Sequence, residues 1–147
     1  MIRITQSYLI NQTIINLISK GWSLLYSDIP GGKRSGIGII ANINSIWEGL
    51  YNLSPDIVFE NKGEILLIEV DRNLNKEYLE KFSKYISKEK ELKEKLKNAI
   101  GKEITCIKFG FVSKSDKYKI TINRNLKDFN FIYFKDGLMI NKIINAS

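Results

Sequence analysis

The amino-acid sequence predicts one α/β domain, in which a central mixed sheet is flanked by helices. Apolar residues recur at helical spacing in residues 4–20 and 75–99. Short apolar runs of strand length lie between and after these two segments, and a chain of 147 residues has the length of one domain. The predicted order is therefore helix, strands, helix and strand, and the second helix allows a right-handed parallel crossover.

The first helix is predicted at residues 4–20 and ends at Gly21, because glycine readily takes the left-handed conformation that closes helices. Its predicted apolar face consists of Ile4, Leu9, Ile14, Leu17 and Ile18. The helix contains no acidic residue. A first strand is predicted directly afterwards, at residues 22–26.

The segment 28–38 is rich in glycine and carries two cations, Lys33 and Arg34. Two interpretations remain open. One is a loop that closes over a phosphate backbone, and the other is a solvated turn with incidental charge.

Residues 37–43 form a further candidate strand. Residues 44–53 are ambiguous, but they could open a short helix that buries Trp47 and Tyr51.

Two neighbouring apolar runs, residues 56–60 and 64–70, are predicted to form a hairpin joined by a tight turn with glycine. The second run is almost continuously apolar, which predicts a central strand covered on both faces. Because side chains alternate along a strand, Glu69 and Asp71 project from the same face, and Asp56 lies beside them on the paired strand. Three carboxylates this close are costly without a cation, so the hairpin predicts a site for Mg²⁺ or Mn²⁺.

The helix predicted at residues 75–99 places Lys81 at the edge of its buried face. That face consists of Leu74, Tyr78, Phe82, Tyr85, Leu92 and Leu96. Two interpretations of Lys81 remain open. Its ammonium either enters the carboxylate site or extends past its apolar neighbours to solvent.

Pro55-Asp56, followed after twelve residues by Glu69-Val70-Asp71, resembles the motif of the PD-(D/E)XK nuclease superfamily. The resemblance covers roughly residues 1–113 and implies a restriction-endonuclease-like core of a helix, three strands, a helix and a strand. Asp71 stands where the family usually has lysine. The spacing from Asp71-Arg72 to Lys81 and Tyr85 is similar to the E-x-D-R and K-x-x-x-Y pattern of replication-relaxation proteins of mobile plasmids. By that match, Lys81 takes the place of the displaced lysine.

The resemblance implies a role for each residue of the site. Asp56 and Glu69 would hold the divalent ion, with the Val70 carbonyl as a further ligand. Asp71 would bind metal or position water, and Lys81 would orient the nucleophile or offset charge.

Other residues are given supporting roles. Many family members carry a glutamate in the first helix, and Glu48 either replaces it as a further metal-site acid or is helix surface. Lys33, Arg34 and Arg72 would grip the nucleic-acid backbone.

Composition limits the chemistry. The chain has no histidine, which excludes Ser-His and Cys-His dyads, imidazole bases and histidine zinc sites. Its single cysteine, Cys106, excludes an intramolecular disulfide and is expected to be a buried thiol.

The net charge of +7 favours a polyanionic partner. We found neither a membrane-span pattern nor a signal-peptide pattern, so a cytoplasmic location without membrane association is expected.

The rest of the chain is predicted to be mostly β. A strand is expected at residues 104–112, and the β-rich C-terminal extension of about residues 114–147 contains strand patterns at 117–123, 129–134 and 138–144. Asp136-Gly137 is a strong hairpin turn. This added hairpin either extends the sheet or forms a dimer contact, and Tyr133 with its aromatic neighbours is either core or a base-stacking platform.

These observations lead to one expected function and one alternative. We expect a Mg²⁺- or Mn²⁺-dependent endonuclease that hydrolyses DNA, acting as a homodimer by analogy with small nucleases. The alternative is a catalytically inactive DNA-binding protein with a nuclease fold, an accessory to the replication or transfer of a mobile element.

Overall fold

The computed structural model describes residues 5–27, 44–47, 54–72, 76–115 and 128–144. Their helices and strands are, in chain order, α1 (Gln6–Ser19), β1 (Ser23–Ser27), α2 (Asn44–Trp47), β2 (Ile57–Asn61), β3 (Glu64–Val70), α3 (Lys76–Ser87), α4 (Glu89–Ile100), β4 (Cys106–Val112), β5 (Phe129–Lys135) and β6 (Leu138–Ile144). The predicted α/β class is confirmed. The strands predicted at 37–43 and 117–123 lie outside the described residues.

The strands form one mixed sheet of six strands in the order β1-β2-β3-β4-β5-β6. The first three pair antiparallel, β3, β4 and β5 run parallel, and β6 returns antiparallel to β5. The parallel crossover predicted between β3 and β4 is thus confirmed. One end of the sheet gathers the ends of β3, β4 and β5 and the beginning of β2, and we call it the carboxyl end of the sheet.

Helices cover both faces of the sheet and bury two apolar clusters. On one face, α1 packs Leu9, Ile10 and Leu17 against β2 and β3. On the other face, α3 and α4 pack residues such as Phe82 and Leu96 against β3, β4 and β5. Since β3 contributes to both clusters, its predicted central position is confirmed.

The buried face of α1 differs from the predicted one. Thr13 is fully buried, whereas Ile18, predicted to be buried, is 50% exposed. The Thr13 hydroxyl donates to the Leu9 carbonyl at 2.7 Å, so this polar side chain faces the sheet with its hydrogen bond satisfied. The predicted end at Gly21 is confirmed, because its φ is 97° and Trp22 N–H donates back to the Leu17 carbonyl at 3.1 Å.

The helix predicted at 75–99 is two helices, which separate at Lys88. The Ser87 hydroxyl donates to the Lys84 carbonyl at 2.7 Å, which is the carbonyl that Lys88 N–H would use in a continuous helix. Lys88 N–H donates to the Tyr85 carbonyl instead, at 3.1 Å. No helix in the described part of the chain is long and apolar enough to cross a membrane.

Candidate active site

An acidic pair, Asp56 and Glu69, lies at the carboxyl end of the sheet. Asp56 immediately precedes β2, and its N–H donates to the Ile68 carbonyl at 3.0 Å, which continues the pairing of β2 with β3. Its carboxylate Oδ2 accepts from Val70 N–H at 2.8 Å. The Asp56 and Glu69 side chains also hydrogen-bond to each other. Strand pairing therefore brings together the two acids on which the sequence prediction mainly depends.

Glu69 is only 2% exposed. Its pKa is raised from 4.5 to about 8, first by burial and then by the charge of Asp56 and the hydrogen bond to it, while Lys81 acts in the opposite direction. At pH 7 the Glu69 carboxyl is therefore mostly protonated. A neutral Glu69 avoids the charge repulsion that would oppose its position beside Asp56.

Lys81 reaches this pair from α3. Its Nζ lies 2.6 Å from Glu69 Oε1 and donates to the Ser54 carbonyl at 2.8 Å. The Lys81 side chain is 20% exposed, so most of its length is covered by the fold. Of the two interpretations open for Lys81, the structure supports the one in which the ammonium enters the carboxylate site.

Asp71 lies beyond the end of β3 and has partners of its own. The Tyr78 hydroxyl donates to Asp71 Oδ2, and Arg72 N–H donates to Asp71 Oδ1 at 2.6 Å. Burial, the hydrogen bond to Asp71 and the surrounding carboxylates raise the pKa of Tyr78, so the hydroxyl keeps its proton and remains a donor. Within the described ranges, no three acidic or cysteine side chains are grouped so that they could hold a metal ion. Asp56 and Glu69 adjoin, whereas Asp71 binds Tyr78.

Gln6 is a residue of the site that the sequence prediction missed. It lies in the first turn of α1, and its Nε2 donates to the Val70 carbonyl at 2.8 Å. The prediction considered this helix only for acids and found none. No local signal in the sequence identifies it, because the contact joins residues 64 apart in the chain.

Tyr78 was predicted only as a core residue of the helix, whereas Tyr85 was predicted as core and also as part of the K-x-x-x-Y resemblance. Tyr78 stacks edge-on against Phe111 while its hydroxyl reaches Asp71, so it serves both the core and the site. Tyr85 is buried near the acidic pair, and burial together with the charges of Glu69 and Asp56 raises its pKa.

The remaining predicted site residues differ in what the structure shows. Arg72 is exposed, and its carbonyl accepts from the Ser113 hydroxyl at 2.8 Å. Glu48, Lys33 and Arg34 lie outside the described residues.

A cavity of about 310 Å³ opens along α3 beside the acidic pair. Its described lining consists of Glu77, Tyr78, Glu80, Lys81 and Lys84. Tyr78 and Lys81 therefore belong both to this cavity and to the contacts with Asp71 and Glu69, and the cavity lining also includes two glutamates.

Comparison of the chain with protein-family models, curated proteins and solved structures finds no match.

The oxygen atoms of the acidic pair fit a hard divalent cation. Glu69 Oε1 is buried and receives no well-directed hydrogen bond within the described residues, although the Lys81 ammonium is 2.6 Å away. Asp56 supplies a second carboxylate beside it. Mg²⁺ is commonly bound by one or two carboxylates together with waters and substrate phosphate. The Val70 carbonyl is adjacent, but it accepts a hydrogen bond from Gln6.

Proposed function

We propose that this chain is a divalent-metal-dependent endonuclease that hydrolyses DNA phosphodiester bonds, built on a restriction-endonuclease-like core. One observation carries the proposal: the buried Glu69 carboxyl adjoins the half-buried Asp56 at one end of paired strands, with the Lys81 ammonium 2.6 Å from Glu69. Apart from the four-residue α2 between β1 and β2, the order of α1, β1, β2, β3, the helical segment and β4 supports the proposed core of helix, three strands, helix and strand. The net charge of +7 supports a nucleic-acid substrate.

The acidic pair would hold Mg²⁺ or Mn²⁺ through Asp56 and Glu69. A bound ion of this kind lowers the pKa of its water and offsets charge on a phosphate. Glu69 would lose its proton on becoming a ligand. The Lys81 ammonium, already beside the carboxyl groups, would orient an attacking water or neutralise charge on the phosphate. Asp71, held by Tyr78, would bind metal or position water.

Cleavage of plasmid, flap and branched DNA with Mg²⁺ or Mn²⁺ tests the proposal. We expect Asp56→Asn, Glu69→Gln and Lys81→Met each to lower the rate by roughly 100-fold or more, since each removes a group that holds the ion or stabilises charge. Glu60→Gln is the matched control. Glu60 is also a buried glutamate paired with a lysine, Lys102, at 2.7 Å, but it lies near the other end of β2.

Wild-type cleavage that disappears in Glu69→Gln and survives in Glu60→Gln would support the proposal. Equal cleavage by the wild type, Asp56→Asn and Glu69→Gln would show that the acidic pair does not perform the reaction.

A second candidate, the inactive DNA-binding accessory protein with a nuclease fold, is favoured by one specific observation. The raised pKa of Glu69 keeps this carboxyl mostly neutral at pH 7, and the Lys81 ammonium lies 2.6 Å from it, so the buried group is accommodated without a metal. Titration calorimetry separates the two candidates. The absence of Mn²⁺ binding at millimolar concentration, together with salt-sensitive DNA binding, would select the accessory protein.

A further inference from the structure

Three exposed cations lie across the carboxyl end of the sheet. Arg72 follows β3 by two residues, Lys114 follows β4 by two residues, and Lys135 is the last residue of β5. The register pairs Val70 with Val112 and Val112 with Ile132, so Arg72 and Lys114 are at the same level and Lys135 is one residue beyond it. By the alternation of side chains, Arg72 and Lys114 continue the face covered by α1, and Lys135 continues the face covered by α3 and α4. We call these three residues the carboxyl-end cations.

Hydrogen bonds between the strands hold this region in place. The Arg72 carbonyl accepts from the Ser113 hydroxyl at 2.8 Å and from Lys114 N–H at 3.4 Å. Ser113 N–H in turn donates to the Ile132 carbonyl at 2.8 Å. Hydrogen bonds thus fix the backbone at the ends of β3 and β4 against β5. Binding an anion there therefore requires little ordering of the chain.

The carboxyl-end cations are also distinguished by what they do not contact. Within the part of the chain that the structure describes, none of them forms an ion pair. Many other lysines are paired with glutamates, namely Lys76, Lys81, Lys88, Lys93, Lys97, Lys102 and Lys108. Among the described residues, the nearest acids along the chain are Asp71, which is bound to Tyr78, and Asp136, which is exposed in the turn after Lys135. Asp116, two residues after Lys114, lies outside the described residues. The positive charge of this end is therefore available to an external anion.

We infer that Arg72, Lys114 and Lys135 bind phosphates of one nucleic-acid strand that passes the acidic pair. Neighbouring strands lie about 4.8 Å apart, so β3 and β5 are separated by roughly 10 Å. At the ~3.4 Å axial spacing of one DNA strand, this separation is about three steps and spans about four phosphates. The backbone would run from the acidic pair on β2 and β3, across β4, to β5. The inference rests on the proposed function for its substrate, but it concerns binding and can be measured without cleavage.

The test compares two triple variants with the same net charge. One carries Arg72→Gln, Lys114→Gln and Lys135→Gln, and the control carries Lys20→Gln, Lys62→Gln and Lys90→Gln at exposed positions elsewhere. Each variant lowers the net charge from +7 to +4. Fluorescence anisotropy with a labelled duplex and a labelled single strand, in EDTA to prevent cleavage, gives the affinity at several salt concentrations.

We expect the first variant to bind at least about tenfold more weakly than the control near 0.1 M salt. The slope of log affinity against log salt concentration should be less negative than that of the control by roughly 2 to 3. Each lost phosphate contact reduces the size of this slope by about 0.7 to 0.9. Equal affinities and slopes for the two variants would overturn the inference. Binding to vesicles of anionic phospholipid is measured for both variants as well. If the first variant binds these vesicles more weakly than the control but binds DNA equally well, the inference is also overturned.

The outcome is separable from that of the proposed function. A wild type that binds DNA through these cations but does not cut it leaves this inference standing and removes the endonuclease. A wild type that cuts DNA while both triple variants bind equally removes the inference and leaves the endonuclease.

Discussion

Glu69 owes its unusual chemistry to its burial and to two neighbours, Asp56 and Lys81. A carboxylate is normally ionised at neutral pH, but burial disfavours the charge and the adjoining Asp56 adds a like charge. Lys81 offsets only part of this effect, and the pKa of Glu69 remains at about 8. The Glu69 carboxyl group therefore stays mostly protonated at neutral pH in the folded chain. In the unfolded chain it ionises near its ordinary pKa of 4.5.

This difference predicts how stability depends on pH. Because the folded pKa of Glu69 is raised, its contribution to stability is complete below about pH 4.5 and is lost as pH rises through about 8. Between these values the free energy of unfolding should fall by up to about 1.4 kcal/mol per pH unit relative to Glu69→Gln, which does not titrate. Urea unfolding of both proteins in EDTA from pH 5 to pH 8.5 measures the difference. Parallel pH curves would show that Glu69 has an ordinary pKa.

The hairpin of β2 and β3 shows how one turn fixes the register of an element. Lys62 and Gly63 have φ values of 51° and 86°, which is the geometry of a two-residue turn with both central residues left-handed. The Gly63 carbonyl also accepts from Thr105 N–H at 2.9 Å, which brings the turn against the segment preceding β4. A side chain at Gly63 would place its Cβ 2.8 Å from the Glu103 carbonyl oxygen. Glycine is therefore required there for two independent reasons.

Two glycine substitutions separate those reasons. Gly137 has a φ of 78° in the β5–β6 turn, and a Cβ there would meet nothing within 4 Å. Gly137→Ala should lower the free energy of unfolding only through backbone strain, by about 1–3 kcal/mol. Gly63→Ala should cost more, because the contact with a backbone oxygen is added to similar strain. Thermal melts of the two variants provide the measurement, and equal losses of melting temperature would contradict the close approach.

At the scale of the whole molecule, the C-terminal hairpin belongs to the body of the fold. The prediction that it extends the sheet is confirmed, since β5 pairs with β4 and β6 with β5. Phe129 and Phe131 are buried in the cluster under α3 and α4, and Ile132 is buried in the cluster under α1. Side chains of this kind each contribute about 1.5–3 kcal/mol by burial. Their sum is comparable to the ~5–15 kcal/mol stability of a typical domain.

Deletion of residues 128–147 should therefore abolish cooperative unfolding. The truncated chain would leave β4 as an edge strand and expose the buried surfaces of Phe109 and Phe111, which stack near β5. A control that changes the hairpin only at its exposed apolar positions, Leu138→Asn with Ile143→Asn, should keep a cooperative melt. Circular dichroism on heating distinguishes the two. A truncated chain that unfolds as sharply as the full chain would show that the hairpin is an accessory.

The sequence was most informative where one local rule decides the outcome. Strands β3 and β6 have the predicted bounds, and the proximity of Asp56 to Glu69 follows from a tight turn and the alternation of side chains. The break at Lys88 depends on a single hydroxyl hydrogen bond from Ser87, to which hydrophobic periodicity is insensitive. Gln6 depends on the packing of α1 against the end of β3, a contact 64 residues apart in the chain. Long-range contacts between polar groups have no periodic signature, which is why the structure was needed to find them.

The double contact of Lys81 has a mechanical consequence. Its ammonium links the Ser54 carbonyl, in the segment that leads into β2, to Glu69 in β3, and its own backbone belongs to α3. One side chain thus fastens a helix to two successive stretches of chain. Outward motion of α3 would stretch both attachments at once, so opening of the cavity beside it and loosening of the chain before Asp56 should occur as one coupled movement.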